Sequence, residues 1–457
     1  MSVLTLVTRS QKCFSPVNLA VCGISLTLSF CVFSAFGGSP LIGKALILAG
    51  AGVVLLLYPE FALATFLVVG DIKGDDRIAA LLPFDLTLAI GAILVAGIAL
   101  NMLRKKRVVS MPPVYFLFVV LVAMMIASLT YTPVLSAGIE KLELFTTITA
   151  LATVAPFFVL PDLHAMKRFL WFFGGAAYAI CLASLNGLGG ATRLVTPSDN
   201  TIGLGRIASV LAAIIWFTAA SGLRLKYRLA AYATLTVPVI AMIGSGSRGS
   251  TIAFVLLILA TVFFSRRLAL EVVALSIVGL AALPFLDIPQ ASFRYLGSLF
   301  SAQSVGGLLD FRADLLEYGW QLLKQHPLLG VGIGGFRYAS PNPSLYKWPH
   351  DIFIELACEL GIPAALIGFA IFGSALRESI RQLRDRFSAE HTVSMIVAGL
   401  LWIGLMAAVT TGNINSDRSI WLFISLVFVI RDYQRQTQKR VGLARDVATR
   451  QLVSAHV

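Results

Sequence analysis

Charge is what this sequence has least of. Of its 457 residues, 13% are Asp, Glu, Lys or Arg and 58% are hydrophobic, and the mean hydropathy is +0.86. Soluble domains carry about 25% charged residues. No water-exposed fold could hide this much apolar surface, so lipid must solvate much of it. Acidic residues are scarcer still: 23 Asp and Glu stand against 36 Lys and Arg, a net charge of +13. That excess sits in short clusters between apolar runs, as membrane topology requires, and does not form a nucleic-acid-binding face. Cysteine is equally sparse. Cys13, Cys22, Cys31, Cys181 and Cys358 form no CxxC, and four of them lie in apolar runs. They read as small hydrophobes, which excludes a disulfide framework and a thiolate metal site. His164, His326, His391 and His456 are scattered, and HExxH, an acidic metal pair in the outer loop and a Walker loop are all missing. No metal, no cofactor and no nucleotide hydrolysis are expected.

What is present is a series of apolar runs near membrane-spanning length. They fall at about 17–36, 41–58, 59–70 (short), 84–103, 112–130, 139–160, 167–186, 202–222, 229–246, 250–265, 268–286, 351–373, 392–411 and 419–431. The first is too long for a typical signal peptide and reads as a retained span. The expected fold class is an all-α polytopic membrane protein with about 12–14 spans, because the 59–70 run is only half a span. If the spans alternate, Arg104–Arg107, Lys167-Arg168, Arg224/Lys226/Arg228, Arg266-Arg267, Arg377–Arg386 and the tail from Arg431 to Arg450 share one side. By the positive-inside rule that side is the cytoplasm, with both termini. The opposite, periplasmic side then carries links near 37–40, 71–83, 131–138, 187–201, 246–249 and 412–418, and one long loop, 287–349. That loop is rich in aromatics, which a disordered segment is not, so a folded cap is expected. Within it, Leu308–Gln325 has helical spacing, with Asp310 placed to cap its start and His326-Pro327 to end it.

Candidate chemistry collects on that outer side. Arg248 sits in Ser245-Gly246-Ser247-Arg248-Gly249, a turn of small residues between two spans. An outer arginine runs against the positive-inside bias, so anion binding competes with simple snorkelling as its explanation. Arg312, in Asp310-Phe311-Arg312-Ala313-Asp314, reads by itself as a local ion pair with Asp310 or Asp314 and would not be singled out alone. His350, in Trp348-Pro349-His350-Asp351, lies where the chain re-enters the membrane; it either serves as a general base or merely opens a helix beside Asp351. The run Leu329-Gly330-Val331-Gly332-Ile333-Gly334-Gly335-Phe336 lacks the flanking strand of a dinucleotide site, but as a tight turn its N–H groups are able to face an anion.

In this order, Gly244-Ser245-Gly246-Ser247-Arg248-Gly249, Phe311-Arg312, His326-Pro327 with the glycine run, and His350-Asp351-Ile352-Phe353-Ile354-Glu355 through Glu359-Leu360-Gly361-Ile362-Pro363 resemble the O-antigen ligase/polymerase superfamily of bacterial envelope glycosyltransferases. The resemblance covers roughly 200–375. It implies a core over 201–375 with the cap at 287–349, scaffold helices at 1–200 and 376–431, and a cytoplasmic tail at 432–457. It implies a donor glycan on undecaprenyl pyrophosphate, an acceptor that is lipid A-core or a second lipid-linked glycan, and an inner-membrane location. By the same resemblance His350 is the base, and Arg248 and Arg312 hold the pyrophosphate; the family often has Asn after the histidine, where this chain has Asp351. Arginine forks suit phosphate oxygens in a metal-free inverting transfer. Arg193, Arg206, Arg294, Arg337 and Tyr338 are secondary anion or glycan contacts; Tyr338, Tyr346 and Trp348 are able to stack on sugar faces, but packing in the cap core is the favoured reading for most of these aromatics. Ligase-type transfer is the first reading and a repeat polymerase the alternative. A lipid-glycan flippase or transporter is the reading from another class, disfavoured because most span interiors lack charge.

Overall fold

The structure, a computed structural model, describes residues 50–75, 85–105, 111–263, 266–282, 285, 288–292, 302–339, 348–384, 390–415 and 418–454. The predicted first span, 17–36, Arg294 and Tyr346 lie outside them. All regular elements among the described residues are helical. In order they are α1 (Pro59–Val68), α2 (Leu86–Lys105), α3 (Val114–Ser128), α4 (Leu135–Val159, with a π turn at Phe145–Thr149), α5 (Leu163–Ser184), α6 (Thr201–Ala220), α7 (Leu225–Ser245), α8 (Arg248–Phe263), α9 (Arg266–Ala282), α10 (Ala302–Gln325), α11 (Ile352–Arg384), α12 (His391–Thr410) and α13 (Arg418–Ser454). A short turn of helix, Gly335–Ala339, follows α10. In hydrocarbon only a helix satisfies its own backbone, which is why apolar runs of this length fold this way.

The protein is an all-α polytopic membrane protein. Seven helices among the described residues are long and apolar enough to cross a membrane, and eight if a bent pair counts as one span. The bent pair is Gly50–Leu57 with Pro59–Asp71, turned by 114°. α3 and α8 are apolar but shorter. The half-span at 59–70 is a core helix: most of α1 is buried, and Glu60 pairs with Arg168 of α5 at 2.5 Å. The other interior helix is the first part of α13. Ile420 to Ile430 is buried all round, as expected of a run that is hydrophobic on every face.

α10 begins at Ala302, six residues before the predicted start. Asp310 is therefore inside the helix and does not cap it. Its end at Gln325, ahead of His326-Pro327, is as expected. Leu315 and Leu322 pack with Phe336 and Cys358, whereas Leu316 and Trp320 are exposed. The helix lies against the start of α11, where Gly319 leaves room for Ile354 and Pro349.

α11 is 33 residues long and is broken at Gly361 (φ 85°). The sequence dictates the break. Pro363 has no N–H for the carbonyl of Glu359, and the Ile362 N–H turns away to the carbonyl of Pro327 at 2.9 Å. Two carbonyls are orphaned inside the bundle. The glycine run fills both: Val331 N donates to Cys358 O at 2.9 Å and Gly332 N to Glu359 O at 2.8 Å. Gly330, Gly332 and Gly334 all have positive φ (66°, 90° and 73°), and the space a Cβ would need at Gly330 and Gly361 is taken by facing backbone. Gly330→Ala and Gly361→Ala are each expected to lower the melting temperature of the detergent-purified protein. Left-handed strain alone costs about 1–2 kcal/mol, and the clash adds to it. A variant melting with the wild type would show that the loop does not seal the break.

Candidate active site

The loops assigned to one side by charge meet one another, or the helix ends beside them, at one end of the bundle. Gly74 N donates to Ser198 Oγ at 2.8 Å, Leu194 N to Gly244 O at 2.8 Å, Thr132 Oγ1 to Ile333 O at 2.8 Å and Asn415 Nδ2 to Lys141 O at 2.9 Å. At this end α7 stops on Gly246 (φ 63°), and the chain turns at once into α8. Arg248 is the first residue of α8 and is half-buried. The turn is packed tightly, with Ser245 Oγ accepting from Ser247 N at 3.2 Å and Gly205 of α6 lying flat against Ser247. The Cβ that Gly249 lacks would meet Thr410 Oγ1 at 2.8 Å.

Arg206, on α6, reaches the same place and donates from Nη2 to Thr411 Oγ1 at 2.9 Å. Its field and that of Arg418 act on Asp71. Arg418 donates to Leu67 O at 3.2 Å and lies over the Phe66 ring at 4.9 Å. Asp71 and Arg418 were not singled out in the sequence, because each sits beside an apolar run and reads as a border residue.

The connection from α12 to α13 joins this neighbourhood to the start of α11. Four residues past Thr410, Ile414 N donates to Glu355 Oε2 at 2.7 Å. Four residues of chain reach at most about 14 Å, which limits how far the start of α8 stands from the first turn of α11. Just ahead of that turn, Asp351 Oδ1 accepts from Phe353 N at 2.8 Å and Ile354 N at 3.0 Å, capping the helix. Burial raises the Asp351 carboxyl above its ordinary pKa, and the two backbone donors work against that. His350 precedes it with φ 59°, one of two non-glycine residues with positive φ among the described residues. Trp348 Nε1 donates to His350 Nδ1 at 3.1 Å.

One cluster was missed altogether. Lys141 Nζ, on α4, lies 2.5 Å from Glu355 Oε1 and 2.6 Å from Glu359 Oε2, and both carboxylates are buried. Gly334 N donates to Glu359 Oε2 at 3.1 Å. The glycine run therefore does present an N–H to an anion, and that anion is the chain's own Glu359. Two Glu spaced i,i+4 at the head of an apolar run were the available signal; an intramembrane ionisable residue asks for a partner.

Of the remaining candidates, Arg337 stacks over Tyr338 at 5.5 Å, and Arg193 is half-buried in the 188–200 connection. Arg312 lies on α10, two turns before Gly319, and its side chain is outside the described set. Among the described residues no three His, Cys, Asp or Glu side chains gather as metal ligands would.

Residues 231–369 match the family model for O-antigen ligase. The chain carries a domain of the O-antigen ligase/polymerase superfamily. The matched segment runs from within α7 through the cap to the middle of α11, so it contains Arg248, Arg312, the glycine run and His350. No curated protein matches the chain. The family match supports a membrane glycosyltransferase of the O-antigen ligase/polymerase type in general.

Proposed function

We propose that the protein moves a glycan from undecaprenyl pyrophosphate to an acceptor hydroxyl at the periplasmic face of the inner membrane, with lipid A-core as the acceptor. His350 takes the acceptor proton, and Arg248 and Arg312 hold the pyrophosphate. The observation that carries the reading is that the end of α12 packs on the start of α8 through Thr410 and Gly249, while the connection that follows it holds the start of α11 through Ile414. Arg248 and His350, about 100 residues apart in sequence, thus belong to one end of the bundle.

The chemistry fits that arrangement. The departing pyrophosphate gathers negative charge, and guanidinium groups in a poorly hydrated site stabilise it without reorganising. A donor with a polyprenyl tail places its reactive bond where the membrane ends. Arg206, held by Thr411, is a further cation beside the start of α8, and Arg193, Arg294, Arg337 and Tyr338 supply secondary contacts to phosphate or sugar.

The test is transfer by the purified protein from its native lipid-linked donor, with mass spectrometry identifying the molecule that gains glycan. Lipid A-core should gain it, and glycan gained by a second lipid-linked repeat would make the enzyme a polymerase. Arg248→Gln should lower the rate about 10²–10³-fold, the usual cost of losing one charge-stabilising donor. Full activity in that variant would remove Arg248 from the site.

A further inference from the structure

The bond between Trp348 and His350 fixes more than a ring orientation. An indole N–H donates and cannot accept. With Trp348 Nε1 3.1 Å from His350 Nδ1, the Nδ1 atom must carry the lone pair. A neutral imidazole in that bond keeps its proton on Nε2. Such a ring has one proton-accepting atom, and the indole covers it. The two rings meet edge-on, with centroids 5.8 Å apart and planes at 71°. The pair is held from behind. Pro349 between them is buried, Gly319 of α10 packs toward it, and Asp351 is committed to the helix cap. His350 is held in the left-handed region, a conformation that a non-glycine residue keeps only when its surroundings impose it.

We propose that Nδ1 of His350 is the proton-accepting atom, and that Trp348 is a positioning residue that covers it until an acceptor sugar takes the indole's place. This rests on His350 being the base. The acceptor O–H donates to Nδ1 where the indole N–H did. As its oxygen bonds to the anomeric carbon, the bond from that carbon to the pyrophosphate oxygen breaks. The acceptor proton ends on Nδ1, and the electron pair leaves with the lipid pyrophosphate. The displaced indole stays beside the incoming sugar, where its face is free to stack on the apolar face of the ring. The cover also keeps water off the base when no acceptor is bound, which protects the donor from hydrolysis.

The probe is diethyl pyrocarbonate, which acylates an available neutral imidazole nitrogen, read for each histidine by peptide mass spectrometry on the full-length protein in detergent. Trp348→Phe keeps the ring and removes the N–H. Acylation of His350 should rise about two- to tenfold against the exposed His164 and His326 in the same sample. An unchanged ratio overturns the cover. A second measurement needs no variant: in wild-type protein with ¹⁵N-labelled histidine, His350 should show the tautomer protonated at Nε2, and the opposite tautomer overturns the assignment of Nδ1. The parent reading is tested apart from these. If His350→Gln still transfers glycan, the base is elsewhere and this proposal falls with it. If that variant is inactive while Trp348→Phe leaves acylation unchanged, the base stands and only the cover is lost.

Discussion

Lys141→Met is expected to cost most of the protein's folded yield. The Lys141 ammonium lies 2.5 and 2.6 Å from two buried carboxylates, Glu355 and Glu359, one helical turn apart on α11. Both carboxylates have been taken out of water and repel each other. Removing one member of a buried ionic cluster leaves uncompensated charge and costs about 3–5 kcal/mol. That is a large share of a typical stability of about 5–15 kcal/mol. The damage will not stay local, since Glu355 also accepts from Ile414 N and Glu359 from Gly334 N. The variant should show a lower melting temperature and more aggregate on size exclusion in detergent. Replacing a whole ionic cluster by neutral groups is often close to neutral, so Lys141→Met with Glu355→Gln and Glu359→Gln should recover most of the loss. If Lys141→Met alone melts with the wild type, the ammonium is not what holds these pieces together.

That cluster gives the chain's most distinctive motif a physical reading. From Asp351 to Pro363, the polar and special residues carry structural tasks. Asp351 caps α11, and Glu355 holds Lys141 and the α12–α13 connection. Glu359 holds Lys141 and the glycine loop. Gly361 and Pro363 break the helix so that the loop can dock into it. His350 accepts from Trp348 Nε1 at 3.1 Å, and its backbone is held at a positive φ that a non-glycine residue rarely adopts.

Much of this architecture was legible in the sequence, because hydrophobic run length and basic clusters answer to the bilayer alone. The loops that charge assigns to one side are the loops that touch, from Gly74 against Ser198 to Thr132 against Ile333. Long-range pairing was not legible. Lys141 and Glu355 are 214 residues apart, and no spacing rule connects them. The glycine run suggested an anion cradle, yet nothing local said that the anion would be Glu359. α1 looked like half a span because composition does not distinguish lipid from protein as the apolar surroundings. The break at Gly361 was readable in principle from Gly361-Ile362-Pro363, since proline orphans the carbonyl four residues before it. Asp310 misled because α10 runs on through Gly306 and Gly307 toward Ala302. Capping propensity marks a helix start only where tertiary packing does not extend the helix.

His350→Gln is the substitution expected to separate chemistry from architecture most sharply. Glutamine has a similar reach and offers a carbonyl oxygen to the Trp348 N–H, but it cannot take a proton. General-base catalysis by a positioned side chain is worth about 10²–10⁴ in rate, so transfer should fall by that factor while donor binding is retained. The arginines still stabilise the leaving pyrophosphate, and a residual rate should remain. Stability should barely change, for two reasons. The helix cap belongs to Asp351, and the glutamine carbonyl keeps an acceptor for the Trp348 N–H. The expected result in cells is normal protein in the membrane with surface glycan absent on a gel. In purified protein it is a lowered kcat at unchanged donor KM. A lowered melting temperature would show that His350 has a structural task after all. Normal transfer by a normally folded variant would remove the base from this end of α11 and leave the left-handed backbone at His350 without an explanation.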